Sequence, residues 1–527
     1  MIKQFFMIKK YILVAIIGLA PYLFYAQEVA ATKLSPDDAA AKMKVGNYED
    51  ALVDYLQLLN TEPRNELYNY NAGICYLNTN SNKAKAVPYL EIVTRKDKYN
   101  HEADYLLARA YHYAGRYDDA IKMYENYKIY ISKQSKSNSD VDKQIQYCQN
   151  AKELVKFPVN VTFQALGNNV NSEYDDYFPF VTANESVIYF NTKRPEKNAE
   201  KLENGQFASS IYHSKVSNGQ YAKATNAGTL IAGGSVGMEV IGLSANGDVM
   251  LLSNSKSSGK LNVFMSTLTE KGTYTKPELL DKMINSGGDV IAASISSDGN
   301  TIYFTSSKAG GFGGLDLYSC QKISAGKWAM PQNLGEAVNT KEDEDFPNIS
   351  MDGKTLYFSS KGRISMGGYD IFKAEYDETK KVFSNAKNIG YPVNTTYDNM
   401  NFRVSKTGKY GYIAAIRPNG LGEHDIYRVN FNEVEPDYTV FIGGFNGGES
   451  SGNFNDFFIS VNDSQSNELV GNYIPNPETG RYVMILTPGK YQMIIEAPGY
   501  KTIEKTIEVL DKASYQAEIN INIDLVK

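Results

Sequence analysis

One string in the chain has the spacing of a serine nucleophile: "GGSVG", with Ser235 between Gly233 and Gly237. An acyl-transfer serine needs a strand before it, a helix after it and a histidine within reach. Ser235 instead falls in a glycine-rich connection, "AGTLIAGGSVGMEV", and the chain holds only 4 histidines. His101 and His112 lie in helical patterns, His213 in a strand pattern and His424 in a repeated turn. The serine reads as a chance match. Asp316, Asp370 and Asp425 could serve acid–base or metal chemistry, but each returns at the same point of a repeated sentence. An active site needs one constellation, so bonds from each Asp to its own turn backbone explain the recurrence better. The acidic loops "SEYDDYFP" (Ser172–Pro179) and "KEDEDFP" (Lys341–Pro347) lack the D-x-[DN]-x-[DN]-G spacing of a calcium loop and read as solvated connections. Cys75, Cys148 and Cys320 are scattered and odd in number, which fits buried free thiols rather than disulfides or zinc. No P-loop, dinucleotide fingerprint or HExxH occurs. The chain is read as no enzyme, with no catalytic residue, metal or cofactor.

The repeated sentence defines the elements around those aspartates. "SSDGNTIYFTSSKAGGFGGLDLYSC" (Ser296–Cys320) returns as "SMDGKTLYFSSKGRISMGGYDIFKA" from Ser350 and "SKTGKYGYIAAIRPNGLGEHDIYRV" from Ser405. The turn glycines Gly247, Gly299, Gly353 and Gly408 step by 52, 54 and 55 residues, and "YFPFVTANESVIYFNT" (Tyr177–Thr192) is a degraded first copy. Each unit alternates β-branched and aromatic residues between Gly, Asp or Asn turns, enough for four short strands. Sheets of that size bury their faces only by packing around an axis, which predicts a β-propeller of about five blades over 157–434. "VTFQALGNNVNSEYDDYFP" (Val161–Pro179) matches "WAMPQNLGEAVNTKEDEDFP" (Trp328–Pro347), so its first strand belongs to no blade of its own. That strand is expected to complete the last blade.

Residues 33–156 have a different texture. Gly46, Tyr48, Ala51 and Tyr55 match Gly115, Tyr117, Ala120 and Tyr124 at an offset of 69, and Gly73 and Tyr76 match Ala108 and Tyr111 at 35. Small residues let paired helices approach, Pro63 ends a repeat, and Asp140–Val155 reads as a capping helix. Beyond the polar linker Phe431–Asp437, residues 437–527 alternate as half-buried strands of a small sandwich. At the other end, Lys3, Lys9 and Lys10 precede "YILVAIIGLAPYLFYA", which reads as a signal peptide over 1–26, cleaved after Ala26. The run is short for a bilayer span, so no transmembrane insertion is expected. A formal charge of −6 leaves no footprint for nucleic acid.

These motifs resemble known families. The helical third resembles tetratricopeptide repeats, and the repeated sentence is similar to the WD40-like repeat of TolB-type propellers. "PETGRYVMILTPGKYQMIIEAPGY" resembles the carboxypeptidase-regulatory-like sandwich, a module without catalytic residues. A tetratricopeptide array implies a concave groove for an extended partner, with Tyr70, Asn78, Tyr105, Arg109 and His112 on it. Tyr105, Arg109 and His112 also share a helix face by their spacing of four and three. The module order resembles envelope proteins of the type IX secretion and gliding group, which continue into an OmpA-like domain. This sequence stops at Lys527 without one, so direct peptidoglycan anchoring is not expected. The resemblance implies a periplasmic, outer-membrane-associated scaffold that binds envelope proteins and meets peptidoglycan only indirectly. The alternative is a protein that recognises peptidoglycan or another glycan through its propeller.

Overall fold

Gly46 and Gly115 lie at φ +79° and +70°, a left-handed conformation in which a Cβ is strained. Each closes a tight turn after a helix, Asn47 N–H returning to Lys42 O and Arg116 N–H to Tyr111 O. Two hairpins follow from this shared turn: α1 (Pro36–Lys44) with α2 (Tyr48–Thr61), and α5 (Glu102–Tyr113) with α6 (Tyr117–Ser132). Between them stand α3 (Glu66–Asn78) and α4 (Val87–Thr94), the latter entered through a short 3-10 turn at Lys83–Ala86. The last helix, α7 (Ser139–Leu154), packs on α6. Ala51 and Ala120, equivalent in the sequence offset, are both fully buried between helices.

The structure is a computed structural model. It describes residues 34–134, 137–217, 219–231, 237–254, 261–285, 288–324, 326–406, 408–418, 420–432, 439–446, 454–509 and 518–527. The expected signal peptide, Ser235 and most of the Phe431–Asp437 linker lie outside these residues. Chain contacts separate Met1–Ser35 from Pro36–Lys527, and everything below concerns the second unit.

After the helices come five antiparallel sheets in sequence order. Their first strands are Asp176–Val181, Met238–Leu243, Val290–Ile295, Glu344–Ile349 and Arg403–Val404. These inner strands close a ring. Val240 N–H donates to Asn191 Oδ1 between the first and second sheets, and Ile349 N–H to Ser294 Oγ between the third and fourth. Val404 N–H donates to Asn348 Oδ1, and Asn401 Nδ2 to Pro179 O, joining the fifth sheet to the fourth and the first. The second and third sheets share an apolar core that includes Ile241, Leu251, Val290 and Ala293. Across the ring, buried Arg403 donates to Pro347 O (3.2 Å) and Asn401 Oδ1 (2.5 Å), with its guanidinium carbon 4.2 Å from the Phe180 ring. Burial pulls its guanidinium down to about 9.

The chain seals the ring with its own first strand. Val161–Ala165 pairs antiparallel with Asp425–Phe431, Val161 opposite Phe431 and Ala165 opposite Tyr427. The fifth sheet is thereby completed by residues that precede the first, as the unpaired copy in the sequence demands.

Past the ring, a four-stranded sheet (Leu469–Tyr473, Phe458–Asp463, Gly489–Glu496, Ile503–Val509) and a three-stranded one (Tyr482–Leu486, Thr439–Gly443, Glu518–Asn520) enclose one core. Phe441, Val461, Met484, Met493 and Ile507 fill it. Among the described residues no helix is long and apolar enough to cross a membrane.

Candidate functional site

The aspartates of the repeated sentence are backbone locks. Asp316 accepts from Phe312 N–H (2.6 Å) and Gly313 N–H (3.0 Å), Asp370 from Met366 N–H (3.1 Å), and Asp425 from Leu421 N–H (2.5 Å). Each holds the loop between the second and third strands of its sheet, and burial raises Asp370 and Asp425 above the usual carboxylate range. The three cysteines are buried, and burial pushes the Cys75 thiol up to about 12 and Cys320 to about 11. Among the described residues no group of three or more His, Cys, Asp or Glu could hold a metal ion.

Loops locked this way form a platform, and the helices lie on it. Asn80 Nδ2, just past α3, donates to Glu423 Oε2 (2.8 Å), and Lys83 N–H donates to the Tyr397 hydroxyl (3.1 Å). Tyr113 of α5 packs on the Tyr397 ring at 4.9 Å. On α7, Tyr147 donates to Lys361 O (2.6 Å), Asn150 Nδ2 to Ser365 O (2.8 Å), and Lys143 pairs with Glu342. Two of these bonds, from Tyr147 and Asn150, go to the fourth sheet's loop, 361–369. Beneath them one apolar cluster joins Ala151 and Leu154 of α7, Ile364 and Met366 of the loop, and Ile485 of the C-terminal sheets. Lys128 of α6 adds a second tie, bridging Asp142 (2.8 Å) and Glu478 (2.6 Å). Helices, ring and C-terminal sheets are therefore built on common side chains.

The predicted groove residues fall on this seam unevenly. Tyr105, Arg109 and His112 share one face of α5 as their spacing requires, but they are not an open surface. His112 is 4 % exposed and bonded through Nε2 to Met366 O at 2.8 Å. A carbonyl only accepts, so Nε2 carries the proton, and burial drops the imidazole to about 4, keeping it neutral. His112 is thus an internal contact, not a surface for a partner. Tyr105 is half-buried against Tyr124 and Tyr127, with centroids at 5.6 and 5.3 Å. Arg109 is half-buried too; burial opposes its charge, but the Tyr113 and Tyr105 phenols outweigh that and raise it. Nearby Lys83 is pulled down to about 8 by burial, then by Arg109. Tyr70 is half-buried against the helical core, and Asn78 is exposed, its Nδ2 bonded to Ile74 O in its own helix.

The acidic loops also depart from the solvated reading. Asp175 bonds His424 Nδ1 (2.7 Å), and Glu342 is committed to Lys143. Glu344 and Asp345 are buried, and burial raises them to about 7 and about 6. Hydroxyls from distant segments satisfy them: Ser360 Oγ reaches Glu344 (2.6 Å) and Thr305 Oγ1 reaches Asp345 (2.7 Å). Reading the sequence missed Met366, Tyr147 and Asn150. The one available signal was an apolar residue four before each repeated Asp.

No protein-family model matches the chain, and no curated protein matches it. Solved structures similar to it include TolB from Acinetobacter baumannii, 16% identical, covering 49% of this chain and 55% of that one, TM-score 0.32. A putative TolB from Agrobacterium tumefaciens is 12% identical over 63% of this chain and 98% of its own, TM-score 0.32. A glycosyl hydrolase from Bacteroides ovatus is 12% identical over 50% of this chain and 86% of its own, TM-score 0.32. The chain spans about half the length of the first of these. Similarity at this level carries no weight in the functional reading.

Proposed function

We propose that the chain is a non-catalytic scaffold that binds protein partners in the bacterial envelope. In this reading the five sheets are five blades of one closed propeller. The helices are tetratricopeptide-like repeats, and the C-terminal sheets are a regulatory-like sandwich. Residues 1–26 export the chain to the periplasm, where it serves an outer-membrane-associated machine of the type IX secretion or gliding kind. The observation that supports the scaffold reading is the cluster of Ala151, Leu154, Ile364, Met366 and Ile485, which ties three interaction modules into one body. A rigid body holds several binding surfaces at fixed distances, which is what an assembly factor contributes. Tyr105 and Arg109 keep partial exposure beside the seam. There a guanidinium flanked by phenols suits an acidic partner segment.

The test is quantitative affinity recovery from the host envelope with tagged full-length protein. The scaffold reading expects outer-membrane-associated proteins at fixed stoichiometry, with recovery reduced in the Tyr105→Ala/Arg109→Ala variant. Absence of any stoichiometric partner, together with turnover of a glycan or lactone by the purified protein, overturns it.

A further inference from the structure

Three loops of the ring share one length, one Asp lock and one glycine contact. The strand-pair ends Ser306↔Asp316, Ser360↔Asp370 and Ala415↔Asp425 enclose loops of equal length. In each, the Asp accepts from the backbone N–H four residues earlier: Phe312, Met366 or Leu421. In each, the next residue is a glycine pressed on the backbone of the connection to the next sheet of the ring: Gly313 on Glu342, Gly367 on Thr396, Gly422 on Ser172 and Glu173. Phe312, Met366 and Leu421 are therefore one position, repeated. Their surroundings differ sharply. Met366 is 0 % exposed, Phe312 50 % and Leu421 51 %.

What covers Met366 is a helix with a defined stripe. Tyr147, Asn150, Ala151 and Leu154 recur at i, i+3, i+4 and i+7 on α7, two donating to loop carbonyls and two packing on the apolar side chain. The third sheet's loop adjoins that interface directly. Gly313, next to Phe312, sits against the carbonyl of Glu342, and Glu342 is the ion-pair partner of Lys143 on α7. A large aromatic in a glycine-rich loop is a compact anchor, and Gly310, two residues before it, has open space where a side chain would stand.

We propose that the loop 307–315 docks an α-helix of a partner protein, seated on Phe312 and laid beside α7 as α7 is laid on Met366. The partner helix carries small or apolar residues flanked by amide or phenol donors along one stripe. The α7 stripe of a second copy is not free to fill this place, because it is consumed by its own Met366. The inference rests on the scaffold reading and names one of its docking points.

The test places a photo-reactive benzoylphenylalanine at position 312 of the full-length protein in its host, with position 323 as control. Ile323, on the third strand of the same sheet, is 71 % exposed. The expected result is an adduct at 312 about tenfold above 323. It maps to another protein at residues spaced three and four apart, and Phe312→Asp lowers recovery of that protein without moving the thermal melt. An adduct within a second copy, an adduct on alternate residues of an extended segment, no excess over 323, or recovery unaffected by Phe312→Asp each overturns it. If other partners still co-purify, the scaffold reading survives that failure. If none do, both fall.

Discussion

The loops 307–315 and 361–369 share one length and one lock, but the left-handed residue is Gly310 in the first and Arg363, one position earlier in the repeat, in the second. Each closes between paired strands, is held by one Asp, and ends in a glycine pair before the third strand. They differ at the positions that the repeat leaves unconstrained. Gly310 stands where the fourth sheet has Ile364, Ala309 where it has Arg363, and Phe312 where it has Met366. Arg363 donates to Ala337 O (2.6 Å), Ile364 and Met366 enter the shared cluster, and the fourth sheet's loop is covered by α7. The third carries none of these, and its aromatic stays half exposed. Repetition thus fixes the loop length, the Asp lock and the glycine pair, while the first half of the loop and its side chains decide whether the chain covers its own loop or leaves it for another molecule.

The largest effect should come from the covered loop. Met366→Ala removes a fully buried side chain from the cluster of all three modules and should cost about 2–5 kcal/mol, read by denaturant unfolding.

A pH experiment sharpens the comparison from the helix side. His112 titrates at about 4 in the fold, below its usual value, so the unfolded chain binds its proton more readily. Its contribution is complete above about pH 6.5 and is lost as pH falls toward 4, about 3 kcal/mol in all. Glu344 and Asp345 run the other way, since burial raises them and their contribution fades as pH rises through about 7 and about 6. The check is therefore the difference between wild type and His112→Gln across pH 4–7, which should narrow as pH falls.

Smaller still, Asn150→Ala leaves the buried Ser365 carbonyl without its donor and should cost about 1–3 kcal/mol. Phe312→Ala should shift the melt by no more than about 0.5 kcal/mol, because half of the ring is already in water. A large destabilisation there would mean that the two loops are both internal, and the comparison would fail.

Much of the architecture was legible in the sequence, for a physical reason. The offset of 69 between Gly46 and Gly115 marks a left-handed turn that few other residues tolerate, and the turn glycines of the ring mark strand reversals. Closure by Val161–Ala165 was legible because that copy of the strand had no sheet of its own. The site was less so. Spacing correctly grouped Tyr105, Arg109 and His112 on one face, but periodicity says nothing about what covers a face. His112 meets a carbonyl 254 residues away. The acidic loops were misread because three or four carboxylates in a short stretch suggest water. Thr305 and Ser360, which make burial tolerable, come from other strands.

The central claim is that helix, ring and C-terminal sheets are one body joined at Met366. Amide hydrogen exchange on the full-length protein, followed through α7, tests it most directly. Residues 141–154 should exchange as slowly as the inner strand Glu344–Ile349 in the wild type, and Met366→Ala should release α7 first. If α7 exchanges in seconds in the wild type while the inner strand stays protected, the modules are not joined at this seam.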